Sequence, residues 1–233
     1  MNKILHNSVL YVNLEQLRRN VRTLLGELEG KELVPVLKGN AYGLGLERIG
    51  RELAAFDEIH TLAVAQVSEG AALREAGVEK DILVLVGVPE RLLASAAELD
   101  LTLPVWRLGV LPQLARLGRE RGRPVKVQVK VETGLHRVGL TPGAELSALR
   151  EEWRAARPWV TVTGAYSHFA DLGDRERTGE QVRTYLSGVE QLEAGGMEIP
   201  FLHISASAAS EYFPEYRLDG VRIGRRLYMD HPT

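Results

Sequence analysis

Apolar residues along this chain fall into two alternating registers. Short strand-prone segments rich in apolar residues, continuous at 33–37 and alternating at 125–131, occupy positions 33–37, 61–65, 82–86, 101–105, 125–131, 160–166, 200–204 and 218–223. Runs of this length are what strands of a parallel sheet need when both of its faces are covered, so eight strands are predicted. Between them apolar positions return every three or four residues, which predicts helices over 47–56, 68–76, 89–99, 111–121, 144–156 and 179–194. Ser68 is a plausible cap for the second of these and Gly77 its stop, while Gly195 and Gly196 end the last. A further helix over 14–29 precedes the first strand, with Leu14, Leu17, Val21, Leu24, Leu25 and Leu28 on one face and Asn13 as N-cap. Before it, 8–12 is β-prone, and the connection between strands seven and eight, 207–214, is short. Eight strands alternating with helices predict a parallel (β/α)8 barrel, with helix 14–29 filling the slot left because no helix follows strand eight. A doubly wound sheet is the alternative. One domain is expected over 1–233, residues 1–12 forming an N-terminal extension or strand.

Composition narrows the function more than the fold. With 233 residues and 45% hydrophobic content the chain can bury one sizeable core. The balance of 29 basic against 31 acidic residues offers no general attraction to nucleic acid or to an anionic membrane. Zero cysteines exclude disulfides, thiolate metal sites and a cysteine nucleophile, and fit a reducing compartment. The first twelve residues carry one lysine and an apolar run broken by His6, Asn7 and Ser8, which reads as neither signal peptide nor membrane span. A cytoplasmic protein is expected.

A barrel places its chemistry at the carboxyl ends of different strands. The string VPVLKGNAYGLG at 34–45 puts Lys38 at the end of strand one. An ammonium there loses water and needs a partner, a lowered pKa, or conversion to an imine with a carbonyl compound; the bland alternative is a lysine that snorkels into solvent. Gly39, Gly43 and Gly45 allow close backbone approach to a ligand, and Asn40 and Tyr42 add polar tips. Known phosphate-loop patterns do not fit, because no Lys-Ser/Thr follows and the glycine spacing is too wide. Strand five runs through VKVQVKVETGLHRVGL, in which Lys130 and Arg137 bracket Glu132. Strand six ends in YSHFA with His168, strand seven in FLHISASAAS with His203 and Ser207, and strand eight in DGVRIGRRLY with Arg222, Gly224 and Arg225. His168 has no third ligand at useful spacing, so no metal is expected.

Together these strings resemble the alanine racemase family, across essentially the whole chain. The resemblance implies a pyridoxal 5′-phosphate-binding barrel in which Lys38 carries the cofactor as a Schiff base. It implies that Tyr42, Ser207 and Gly224 contact the cofactor, Ser207 and Gly224 at its phosphate, and that Arg137 reaches its phenolic oxygen. Lys130 would be carbamylated and would orient Arg137. His168 would lie against the pyridine ring in a chain with His203 and Arg222. Arg222 would face the ring nitrogen and leave it unprotonated, which suits racemisation better than transamination. Three positions depart from the family pattern: Ala206 replaces an asparagine, Arg225 replaces an apolar residue and adds a charge for the phosphate, and His136 stands where a small or amide residue is usual. The implied substrate is alanine or a related amino acid, with Lys38 as one base and a homodimer as the assembly. The second base of the family is a tyrosine from a β-rich domain of the partner subunit, and that domain does not occur within these 233 residues. Low or no racemase activity is therefore expected of them alone. A single-domain, non-catalytic pyridoxal-phosphate homeostasis protein is the alternative, although such proteins carry different strings around the lysine. A barrel for another phosphorylated ligand is a third reading.

Overall fold

The structure, a computed structural model, describes residues 9–229. Eight parallel strands run in chain order: β1 (Glu32–Pro35), β2 (Thr61–Val64), β3 (Asp81–Val84), β4 (Leu103–Val105), β5 (Val125–Lys130), β6 (Val160–Tyr166), β7 (Leu202–His203) and β8 (Gly220–Ile223). Ladders join β2 to β3, β4 through β7 in sequence, and β8 back to β1, where Val34 lies opposite Arg222. Single bridges close the remaining gaps: Val36 to Ala63, Leu83 to Thr102 and Ala206 to Arg222. The ring is therefore complete, and a doubly wound sheet, which has two open edges, is excluded.

Both faces of β1 are covered, in keeping with its continuous apolar run, and buried apolar residues line every part of the ring. Leu33, Leu62, Ile82, Leu103, Val127 and Val221 are all buried. The wall is built by α1 (Leu14–Glu27), α3 (Leu46–Ala54), α4 (Val67–Glu75), α5 (Glu90–Glu98), α6 (Val110–Arg121), α7 (Ala144–Ala156) and α8 (Arg175–Glu193). Two predicted boundaries move for identifiable reasons. Helix α4 begins after Gln66 rather than at Ser68, because the Glu69 carboxylate accepts from the Ala65 and Gln66 N–H groups and closes a capping box. Helix α8 begins a turn before 179, because Asp174 caps it by accepting from Arg177 N. The short 207–214 connection folds into α9 (Ser207–Tyr212) and a 3-10 turn, Pro214–Tyr216. Asn13 caps α1 as expected, accepting from Gln16 N at 3.0 Å. Residues 9–12 form no strand, and Ser8 and the rest of 1–8, on which the readings of a leader and an N-terminal strand partly rest, lie outside the described residues. Among the described residues no helix is long and apolar enough to cross a membrane.

Helix α1 packs where a helix after β8 would otherwise stand. Its buried Asn20 donates from one amide nitrogen to the carbonyls of Leu227 and Met229, both at 2.9 Å. Gln16 in turn donates to Asn20 Oδ1 at 2.8 Å, so the amide of Asn20 is fully used.

Candidate active site

The carboxyl end of β1 shows what the glycines around Lys38 are for. Residues Lys38–Tyr42 form a single turn, α2, whose later part is wound left-handed, with φ of 64° at Gly39, 58° at Asn40, 52° at Ala41 and 56° at Tyr42. Left-handed helix costs an L-residue about 1–2 kcal/mol, so the surroundings must hold it. They do so by hydrogen bonds from Ala41 N to Leu37 O at 2.8 Å, Gly43 N to Gly39 O at 2.9 Å and Leu46 N to Asn40 Oδ1 at 2.8 Å. Glu69 adds a bond across the strands: its second oxygen accepts from Gly39 N at 2.6 Å. The turn presents Lys38 and Tyr42 to the mouth of the barrel while Ala41 is buried beneath.

Lys38 and Tyr42 share a cleft of about 230 Å³ with Lys130, Arg137, Tyr166, His168, Ser207, Arg222 and Gly224. Among the described residues no carboxylate lines it. Four basic side chains, from α2, β5, the loop after β5 and β8, thus converge on one space, which calls for an anionic occupant.

Arg222 sits beneath the cleft at 4% exposure and is held by acceptors alone. Its Nη1 lies 2.6 Å from His203 Nδ1 and 3.2 Å from His203 O. Its Nη2 donates to Ser167 O at 2.6 Å and Ile204 O at 2.9 Å, and lies 3.3 Å from His168 Nδ1. Burial lowers the guanidinium pKa to about 10, still charged at neutral pH. Burial, then the Arg222 charge, lowers His168 to about 3 and puts His203 far below its ordinary value, so both imidazoles are neutral. Lys130, 3% exposed, has its ammonium over the Tyr166 ring, 4.7 Å from the centroid. Burial first, then the charges of Arg222 and Arg137, lower its pKa to about 7. The Tyr166 hydroxyl is anchored to Leu85 O at 2.9 Å and the ring stacks on His203 at 5.3 Å.

Arg137 is exposed at the rim. Its loop is organised by Glu132: partial burial pushes that carboxyl up, but backbone N–H groups of His136, Gly134, Leu135 and Arg137 outweigh it and hold it below the usual carboxylate range. His136 is exposed in the left-handed region, φ 52°, a conformation suited to the tight turn.

On the other side, Gly224 N donates to Ser207 Oγ at 3.3 Å. A Cβ on Gly224 would run into the Tyr42 phenol, so glycine is required for the tyrosine to lie over this backbone. Tyr42 Oη, Ser207 Oγ and Gly224 N therefore meet in one cradle of neutral donors, with Arg225 exposed beside it. A phosphate fits such a donor set, and a primary amine, a donor-only arginine and a second arginine fit the aldehyde, ring nitrogen and phenolic oxygen of a pyridoxal. All the residues singled out from the sequence lie at this end of the barrel. Glu132, noted between Lys130 and Arg137, lies under the Arg137 loop, and two residues that the sequence did not disclose support the site: Glu69 under the α2 turn and Gln128, which touches His203 at 2.7 Å.

A closed parallel barrel with this lysine, this electropositive cleft and this cradle defines a pyridoxal-phosphate-binding barrel. The family profile described as alanine racemase, N-terminal domain, matches residues 12–232. The alanine racemase of Desulforamulus reducens is 34% identical over 231 residues, covering 95% of this chain and 60% of that protein. Alanine racemase 1 of Oceanobacillus iheyensis is 34% identical over 226 residues, covering 95% and 59%. Among solved structures, the alanine racemase of Streptomyces coelicolor A3(2) superposes with a TM-score of 0.87 at 30% identity, covering 95% of this chain and 60% of that one. The chain belongs to the alanine racemase N-terminal domain family, whose members depend on pyridoxal 5′-phosphate. It spans about 60% of the length of the curated relatives it matches.

Proposed function

We propose that these residues are the cofactor-carrying barrel of a pyridoxal-phosphate-dependent amino-acid racemase of the alanine type, acting on a small amino acid in the cytoplasm. The observation that carries the reading is the cleft itself: a strand-end lysine shares it with a buried arginine that can only donate, and among the described residues no carboxylate lines it. When bound, pyridoxal phosphate withdraws electrons from an amino acid joined to it and acidifies that molecule's Cα–H. The chain's own groups set the terms of that chemistry. Tyr42, Ser207 and Gly224 N hold the phosphate, and Arg225 adds a charge. Lys38 would hold the cofactor through its amine, and that amine is the group that would take or return a proton on its side of the cleft. Arg222, a donor that keeps its proton at neutral pH, would meet the ring nitrogen and leave it an acceptor, which would restrain electron withdrawal. His168, neutral beside Arg222, packs against the ring, and Arg137 meets the phenolic oxygen.

Lys130 completes the set. A pKa near 7 leaves much of its amine neutral, and a neutral amine adds to carbon dioxide, forming an N–C bond and releasing one proton. The resulting carbamate would turn the repulsion from Arg137 and Arg222 into attraction. Racemisation needs a second base on the opposite face, and none of the described residues is assigned to it. We place that group on another subunit of a homodimer, as the family resemblance implies.

The test is incubation of the protein with pyridoxal phosphate, borohydride reduction and peptide mass mapping, followed by a chiral assay with alanine. An adduct confined to Lys38 is expected, and label scattered over surface lysines would overturn the reading of the site. Cofactor binding without interconversion of L- and D-alanine, even by a chain extended to the length of the relatives, would instead favour a non-catalytic cofactor carrier.

A further inference from the structure

Gln128 lies in the middle of β5, 4% exposed, and its side chain reaches a histidine rather than another apolar wall. It gets there through an irregularity. Along β5 and β6, Val127 pairs with Val162, but Gln128 pairs with Gly164, so Thr163 is left over as a β-bulge, a rarity between parallel strands. The partner across the bulge is a glycine, and a Cβ there would press on Phe201 and come within 3.3 Å of Gln128 Nε2. Bulge and glycine together make room for the amide at the floor of the cleft.

Donor and acceptor roles along the resulting chain are forced. A guanidinium has donors only, so His203 Nδ1, 2.6 Å from Arg222 Nη1, carries no proton. The buried ring is neutral, so its one proton is on Nε2. Gln128 Oε1, 2.7 Å away, accepts it. The opposite tautomer would set N–H against N–H at Arg222 and leave Gln128 Oε1 facing a bare nitrogen.

We propose that Gln128 is a positioning residue: it fixes the His203 tautomer, and through it holds Arg222 in its place beneath the cleft. Without the amide oxygen, the Nε2–H form loses its buried acceptor and the Nδ1–H form, which releases Arg222, competes with it. The functional consequence rests on the reading of Arg222 as the group that meets the cofactor ring, but the tautomer does not.

The experiment is therefore done on the 15N-labelled chain with no cofactor added, reading His203 in long-range 1H–15N spectra assigned with a His203→Gln variant. Wild type is expected to show a protonated Nε2 and a bare Nδ1. Gln128→Met is expected to lose this single tautomer, giving a protonated Nδ1 or exchange between the two. Gln128→Glu, which keeps an acceptor oxygen, restores it, and Val127→Ala, which loosens the same strand without touching the ring, leaves it intact. An unchanged tautomer in Gln128→Met, or its loss in Gln128→Glu or Val127→Ala, overturns the proposal. Should Gln128→Met not fold, a protonated Nδ1 in wild type or in Gln128→Glu still does so. A failure to bind pyridoxal phosphate would count against the cofactor reading and leave this result standing.

Discussion

Replacing Lys130 by methionine exchanges a buried amine for an apolar side chain of similar length at the floor of the barrel. Burial and two neighbouring arginines hold this amine near pKa 7, against 10.5 in the unfolded chain. Because the folded value is the lower, the group's contribution is intact above pH 10.5 and is lost as pH falls toward 7, where the unfolded chain holds a proton that the folded chain lacks. The loss runs at about 1.4 kcal/mol per pH step, roughly 4–5 kcal/mol over the window. Lys130→Met abolishes that dependence. At pH 7 in carbonate-free buffer the variant is expected to be more stable than wild type by roughly 3–4 kcal/mol, after discounting about 1 kcal/mol for the lost contact with the Tyr166 ring. Near pH 10.5 the gap closes to within about 1 kcal/mol. Urea denaturation of both proteins at pH steps from 7 to 10.5 measures it, since the other titrations largely cancel in the difference. Added bicarbonate is expected to stabilise wild type alone, through the carbamate. A difference between the two proteins that does not change with pH would refute the argument that burial keeps this lysine neutral.

Three further outcomes follow from other parts of the structure. Gly224→Ala forces the Tyr42 phenol aside and is expected to weaken pyridoxal phosphate binding about tenfold or more in an absorbance titration; undiminished affinity would sink the cradle. Arg225→Ala, at an exposed position, is expected to weaken it about fivefold at low salt and less at high salt, and a salt-independent effect would argue against a charge contact with the phosphate. Leu62→Ala opens a void inside the fully covered β2 and is expected to cost about 2–5 kcal/mol in denaturant unfolding without moving any group of the cleft; a loss under 1 kcal/mol would contradict the packing described.

The barrel was legible because segments rich in apolar residues recur at all eight strands, and even the two-residue β7 sits inside a longer one. Helix ends were less so. At α8 the Asp174 cap lies in a polar stretch with no apolar periodicity to announce it, and at α4 the cap is a glutamine, a residue type that rarely signals a start. The site residues were found through order and identity of strings, since Lys38, His168 and Arg222 carry chemistry in their side chains. What stayed hidden depends on backbone geometry. Three consecutive non-glycine residues wound left-handed contradict local preference, and one of the bonds that hold them comes from Glu69, distant in sequence, to Gly39. Gln128 likewise sits in an alternating run of valines and polar residues that gives no hint of a bulge, and its role depends on a glycine in the next strand.

Helix α1 carries a consequence for how the protein is made. The bond from Asn20 to Leu227 spans 207 residues, and the turn after β8 completes a seat that α1 otherwise shares with α3 and β1. At a synthesis rate of about 5–20 residues per second, this helix leaves the ribosome roughly 10–40 s before its seat is complete. During that interval Leu17, Val21 and Leu24 lack the last part of their cover, a surface for chaperones to guard. Among the described residues the earliest helix waits for the latest segment, and a ribosome that stalls before strand β8 leaves that helix incompletely covered for as long as the stall lasts.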